Sequence, residues 1–115
     1  MIFTDAEVAG AIGAKSDEIH ANSVAKGFWE DGLERNKSEL IALMHSELSE
    51  ALEAIREGNP PDKHLPQYGS VGVEMADCVI RIMGFCAAFS IPLGEIINAK
   101  AEYNKSRPHK HGKAF

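Results

Sequence analysis

Four acidic side chains stand out in this sequence because they lie in segments that are otherwise apolar. Glu47 and Glu50 are three residues apart in one segment, and Glu74 and Asp77 are three residues apart in another. Residues three apart share a face of a helix. Carboxylates gathered in an apolar interface repel one another and lose hydration unless a cation lies among them. Mg²⁺ prefers oxygen ligands and keeps positions open for phosphate oxygens, so the spacing predicts a Mg²⁺ site.

When the first acidic segment is drawn as a helix, its glutamates fall on two different faces. At about 100° per residue, Glu47 falls inside a broad apolar arc and Glu50 falls at the edge of that arc. Glu53 and Glu57 fall on the opposite, polar face. Two glutamates are therefore predicted to point inward and two to face solvent.

The second acidic segment is apolar on nearly every side, which predicts a core helix. Its charged residues are Glu74, Asp77 and Arg81, and they lie within about 60° of one another on the helical wheel. Arg81 follows Asp77 by four residues and is interpreted as an ion-pair partner. One arginine cannot balance four nearby carboxylates, which favours a metal ion in addition.

Helix signals place these acids in an all-α fold. The predicted helices span residues 4–22, 38–56, 70–89 and 92–106. Thr4 with Glu7 forms a predicted capping box, and Ser38 is the predicted N-cap of the second helix. Short connections favour an antiparallel four-helix bundle in one domain, 1–115, with a basic tail at 107–115.

Charge and composition narrow the function classes. The net charge of −5 divides into −9 over residues 1–99 and +4 over residues 100–115. An acidic body argues against a general nucleic-acid binder. No apolar run approaches the roughly 20 residues of a membrane span, and the N-terminus lacks signal-peptide features, so a cytoplasmic protein is expected. Cys78 and Cys86, about 12 Å apart along one helix, are predicted to be reduced thiols.

The acidic runs resemble a known family. HSELSEALE at residues 45–53, followed by EMAD at 74–77, is similar to the EExxE and ExxD pattern of the MazG-like all-α nucleoside triphosphate pyrophosphohydrolases. The closing stretch at 100–113 resembles the family's tail, and Gly27-Phe28-Trp29 fits its small single-domain branch. Ser46 stands where the family pattern has its first Glu.

The resemblance implies hydrolysis of a nucleoside triphosphate, usually a deoxynucleotide, to the monophosphate and pyrophosphate, often to clean the nucleotide pool. Glu47, Glu50, Glu74 and Asp77 carry over as catalytic Mg²⁺ ligands, with Mn²⁺ as a possible substitute. The family's members form dimers or tetramers, so a homo-oligomer is expected.

A basic stripe on the last helix is the candidate phosphate site. Lys100, Asn104 and Arg107 have i, i+4, i+7 spacing and share a face. Arginine and lysine bind phosphate oxygens well. On spacing alone, the stripe could equally be a surface feature that complements the helix dipole; the resemblance favours phosphate.

Three aromatic side chains are candidates for the base and sugar. Trp29 offers a stacking surface, although it could equally be a core or interface anchor. His20 near a helix C-terminus is more often a dipole partner, but the resemblance places it near the nucleotide. Tyr103 lies beside the basic stripe.

Three alternatives are considered. Phosphoribosyl-ATP pyrophosphohydrolase shares the implied fold and chemistry. A non-catalytic helical oligomerisation or partner protein would also use an apolar helix. A ferritin-like di-iron protein is set aside because no Glu is followed by His three residues later.

Overall fold

A computed structural model describes residues 2–114, and within that range the chain is all-α, as predicted. Four helices follow in order: α1 Asp5–Ala25, α2 Lys37–Arg56, α3 Ser70–Ala88 and α4 Leu93–Lys105. Short 3₁₀ turns occur at Gly32–Glu34 and His109–Gly112. Residues 2–114 form no strand beyond an isolated bridge between Pro61 and Gly69. Met1 and Phe115, the ends of the predicted domain and tail, lie outside the described residues.

Local capping explains where the first helices begin. The predicted capping box is confirmed: the Glu7 amide donates to Thr4 Oγ1 and the Thr4 amide donates to Glu7 Oε1, each at 3.1 Å. The predicted Ser38 cap is wrong, because Asn36 Oδ1 accepts from the Glu39 amide at 3.2 Å and α2 begins at Lys37. Asn is as good an N-cap as Ser.

The connection between α2 and α3 is held by Asn59. Its Oδ1 accepts from the Val71 amide at 2.9 Å, at the start of α3. A Cβ at position 69 would lie 2.6 Å from the Asn59 side chain, so any larger residue there would displace the Asn59 amide from this position. Ser70 donates both its amide and its hydroxyl to the Pro60 carbonyl.

Helix α3 contacts both α1 and α2, and α4 packs against α1. The α1–α4 crossing is close because Gly94 has no side chain: a Cβ there would lie 2.7 Å from the Ala9 carbonyl oxygen. This arrangement puts α2 and α3 side by side, and the acidic segments with them.

The core of the single chain is small, which differs from the prediction that α3 is buried all round. The buried apolar residues are Leu40, Ala51, Ala54, Cys78, Cys86 and Ala88. Met75, Val79 and Ile80 on α3 are each more than 40% exposed. The reason is that only α1 and α2 pack against α3 to a substantial extent, which leaves the remaining faces uncovered.

The two cysteines are free and buried, as predicted. Burial raises the pKa of the Cys86 thiol. Within residues 2–114, no single helix has the length and apolarity to cross a membrane; α3 and α4 meet those criteria only as a pair bent by 114°.

Candidate metal centre

Three of the four predicted acids come together between α2 and α3. Glu47, Glu74 and Asp77 each offer a carboxylate oxygen, and these oxygens all lie within 4.8 Å of one another. We call these three residues the acidic triad. All three side chains are partly buried. The helices approach closely here, since Cys78 Sγ donates to the Met44 carbonyl at 3.5 Å.

Glu50, the fourth predicted ligand, lies outside the acidic triad and is exposed. It is still close, because its charge is one of the causes that raise the pKa of Glu74. This position follows from the helical wheel, where Glu50 fell at the edge of the apolar arc. Glu53 is a surface residue as predicted, at 3.6 Å from Arg56.

The acids disturb one another's titration. Burial is the largest cause that raises the pKa of Glu74, to about 7. A hydrogen bond with Glu47 and the negative charges of Glu47, Asp77 and Glu50 add to the effect. Burial and the charge of Glu47 also raise the pKa of Asp77, against the opposing charge of Arg81. The Glu74 carboxyl is therefore still partly protonated at pH 7, where an isolated carboxylate would be ionised.

Arg81 is the positive partner of this cluster, but it does not bond the residue that the sequence indicated. Its Nε donates to Glu47 Oε1 at 2.9 Å, across the α2–α3 interface, and not to Asp77 one turn earlier on α3. The Glu47 side chain is 13% exposed, whereas that of Arg81 is 41% exposed. The bond therefore joins a shielded carboxylate to a guanidinium that remains accessible to solvent.

The oxygen set fits a small divalent cation. Mg²⁺ binds oxygens at about 2.1 Å, so two of its ligand oxygens lie roughly 3–4 Å apart. Separations of up to 4.8 Å in the acidic triad exceed that spacing, so the side chains would have to draw closer together to share one ion. Carboxylate oxygens without nitrogen or sulfur ligands favour Mg²⁺ or Mn²⁺ over zinc.

Ser46 does not join the triad. Its hydroxyl donates to the Leu43 carbonyl of its own helix at 2.6 Å, and the side chain is exposed. The departure from the EExxE pattern therefore removes a carboxylate from the surface of α2 and leaves the acidic triad intact.

A cleft of about 970 Å³ opens beside the triad. Glu47, Asp77 and Arg81 line one part of it, and Trp29 and Arg35 line another. Its other lining residues come from α1, α2, α3 and the α1–α2 connection. A cleft of this size accommodates a small-molecule ligand.

Trp29 lies in an aromatic cluster at this cleft. His20 lies edge-on at 5.0 Å between ring centroids and Phe89 at 5.9 Å. Trp29 Nε1 donates to Ser23 Oγ at 3.0 Å, and the Arg35 guanidinium lies 4.9 Å from the ring centroid. Trp29 thus has the contacts of a structural anchor while it also lines the cleft.

His20 has a buried ring nitrogen, Nδ1, that lacks a hydrogen-bond partner in the part of the chain that the structure describes. A buried polar atom without a partner is costly. His20 is absent from the residues that line the cleft, so its Nδ1 would meet a ligand only after the ring rotates.

The predicted phosphate-binding residues and Tyr103 form a separate group on α4 and just after its end. Lys100 Nζ lies 4.5 Å and the Arg107 guanidinium 5.7 Å from the Tyr103 ring centroid, and Asn104 Oδ1 is buried without a partner among residues 2–114. These four residues are absent from the part of the chain that lines the cleft. The single chain therefore does not bring the predicted phosphate residues to the acidic triad.

Five charged residues near the centre were not selected from sequence. Lys15, Glu18, Lys26 and Arg35 line the cleft. Asp62, in the α2–α3 loop, contributes to the raised pKa of Asp77. Arg35 and Asp62 lie in irregular segments, where periodicity gives no signal, and Lys15 resembles any exposed helical lysine.

Comparisons with protein-family models, curated proteins and solved structures found no match.

Proposed function

We propose that this chain is a Mg²⁺-dependent nucleoside triphosphate pyrophosphohydrolase of the MazG-like type. It would hydrolyse a nucleoside triphosphate, preferably a deoxynucleotide, to the monophosphate and pyrophosphate, and would clean the nucleotide pool of the cytoplasm. The observation that supports this proposal most is the convergence of Glu47, Glu74 and Asp77 within 4.8 Å beside a cleft with aromatic and basic walls.

The triad would hold the cation, with Glu50 beside it as a further carboxylate. A bound Mg²⁺ neutralises phosphate charge and activates water for attack on phosphorus. Glu50 is exposed and can accept a proton from water at the rim of the site. Trp29, which lines the cleft, would stack on the base, and a rotation of His20 would let its unpartnered Nδ1 form a hydrogen bond with the base.

A pyrophosphate-release screen tests the proposal. We expect release from at least one deoxynucleoside triphosphate with Mg²⁺ or Mn²⁺, a nucleoside monophosphate as the second product, and no release with EDTA. The panel includes ribonucleotides, modified bases and phosphoribosyl-ATP, which would reveal the related pyrophosphohydrolase. Absence of pyrophosphate from the whole panel would contradict the proposal and favour a non-catalytic helical partner protein.

We further propose that the chain forms an antiparallel four-helix bundle that assembles as a homodimer or homotetramer. The single chain exposes 8579 Å², whereas a folded monomer of 12.5 kDa exposes about 6,200 Å². The excess of about 2,400 Å² per chain corresponds to about 4,800 Å² over two chains, which falls within the range of total area that obligate interfaces bury. The radius of gyration of 16.6 Å also exceeds the roughly 13 Å of a compact domain of this length.

Assembly with a second copy would bring the predicted phosphate-binding residues to the cleft. Helix α4 packs mainly on α1 and not on α2 or α3. Lys100 and Asn104 lie on α4, and Arg107 lies two residues after its end. Their proposed contact with phosphate therefore needs a second copy whose α4 faces the cleft, or a rearrangement of α4. The exposed surface favours the second copy.

Leu48, Leu52 and Ile55 form the apolar stripe most suited to a subunit contact. They have i, i+4, i+7 spacing on α2 and are 44%, 50% and 59% exposed. We expect light scattering to give a dimer or tetramer at micromolar concentration, and Leu52→Glu to shift the mass toward the monomer because it would bury a charge. Ser49→Glu adds the same charge at a polar position and should leave the mass unchanged. A monomeric wild type would exclude this assembly.

A further inference from the structure

Arg81 and a metal ion would compete for one carboxylate. Glu47 is the only α2 member of the acidic triad among residues 2–114, and it already accepts the Arg81 Nε–H at 2.9 Å. A guanidinium and a divalent cation beside the same carboxylate repel each other strongly in a partly shielded site. The Arg81–Glu47 hydrogen bond and cation binding by Glu47 therefore weaken each other.

The cleft offers the Arg81 side chain an alternative, solvent-accessible position. Its side chain is 41% exposed and lines the cleft. Displacement therefore moves the guanidinium within an open space and does not bury an unpaired charge. Glu47, at 13% exposure, is much more confined and stays with the triad.

We propose that Arg81 is an exchangeable counter-ion: it neutralises Glu47 in the cation-free chain and, once a divalent cation occupies the triad, turns into the cleft to bind the phosphate groups of the substrate. This inference rests on the proposed function and assigns Arg81 a role in it. A guanidinium is suited to the second position because its fork of N–H donors matches phosphate oxygens. When Arg81 leaves Glu47, the cation provides the positive charge that neutralises the Glu47 carboxylate.

Opposite effects on two ligands test the exchange. Titration calorimetry with Mg²⁺ alone should show roughly tenfold tighter binding to Arg81→Gln than to wild type, because the competing cation is gone. At saturating Mg²⁺, a non-hydrolysable α,β-imido triphosphate should bind Arg81→Gln roughly tenfold more weakly, because a charge-assisted hydrogen bond is lost. Arg81→Lys should recover part of the triphosphate affinity.

A matched control and a direct readout accompany the titrations. Arg56→Gln removes an arginine at 3.6 Å from the exposed Glu53 and should change neither affinity. The chain has four arginines, so the Arg81 Nε–H signal can be assigned in a ¹⁵N spectrum by its loss in Arg81→Gln. We expect Mg²⁺ to shift and broaden that signal and the triphosphate analogue to sharpen it again.

The outcomes separate this inference from the proposed function. Tighter Mg²⁺ binding by Arg81→Gln, together with a Mg²⁺-dependent change in the Nε–H signal, supports the exchange even if no nucleotide is hydrolysed. Equal or weaker Mg²⁺ binding by Arg81→Gln overturns it even if wild type releases pyrophosphate. A wild-type chain that binds no Mg²⁺ overturns both.

Discussion

Replacing Glu47 by Gln, or Asp77 by Asn, should reduce pyrophosphate release by at least about 100-fold. Loss of a partner that only supports a metal ligand already costs about 10–100-fold, and these residues are proposed to hold the ion itself. Each substitution keeps the shape of the side chain and removes its charge. The fold should therefore persist while the cation is lost.

Steady-state pyrophosphate release at saturating Mg²⁺, with far-ultraviolet circular dichroism on the same samples, measures both parts of this expectation. Glu53→Gln is the matched control, because Glu53 lies on the same helix, is exposed and lies only near Arg56. It should retain wild-type turnover. Wild-type activity in Glu47→Gln or Asp77→Asn would remove that residue from the catalytic set.

Millimolar Mg²⁺ should raise the melting temperature, and more at pH 8 than at pH 6. An ion at about 100 times its dissociation constant stabilises the folded chain by about 2.7 kcal/mol, which corresponds to roughly ten degrees for a domain of this size. The Glu74 carboxyl, whose pKa is raised to about 7, must lose its proton to bind a cation. The shift should therefore grow as the pH rises through 7.

The metal-free chain should show the opposite pH dependence. The pKa of Glu74 is about 4.5 when unfolded and about 7 when folded, so the folded state binds more protons between these values. The free energy of unfolding then falls as the pH rises from about 4.5 to 7. The raised pKa of Asp77 acts in the same direction.

Glu74→Gln isolates the cause. At pH 8 the metal-free variant should melt several degrees above metal-free wild type, because the repulsion among the acids is reduced, and its Mg²⁺ shift should largely disappear. Glu57→Gln, an exposed change at the C-cap of α2, is the control. Differential scanning fluorimetry at fixed protein concentration measures all of these values. A wild-type melting temperature that is unmoved by millimolar Mg²⁺ at pH 8, with or without nucleotide, would argue against a metal site.

Local sequence signals predicted most of the helices. The Thr4 capping box and the start of α3 at Ser70 depend on neighbouring residues, and both are confirmed. The start of α2 and the end of α1 were predicted wrongly, because each segment offers more than one residue that can begin or end a helix. Asn36 and Ser38 are both good caps, and α1 continues to Ala25 because the helix breaks at Gly27, with φ of +87°, and not near Asn22.

The inward faces were predictable, but the partners across the interface were not. Helical periodicity placed Glu47, Glu74 and Asp77 on core-facing arcs, and the structure brings them together. The partner of Arg81 depends on how α2 is aligned along α3, which no spacing within one helix encodes. Likewise, an all-apolar α3 does not reveal how many of its sides the same chain will cover.

The polar contacts at Asn59 have a consequence for how the acids meet. Asn59 and Val71, twelve residues apart, are joined by one amide hydrogen bond, and Pro60 and Ser70 close the same short loop. Closing so short a loop has a low entropic cost. We therefore expect this loop to close early in folding and to align the carboxylates of the two neighbouring helices, so that their mutual repulsion does not have to be overcome by a long-range search of the chain.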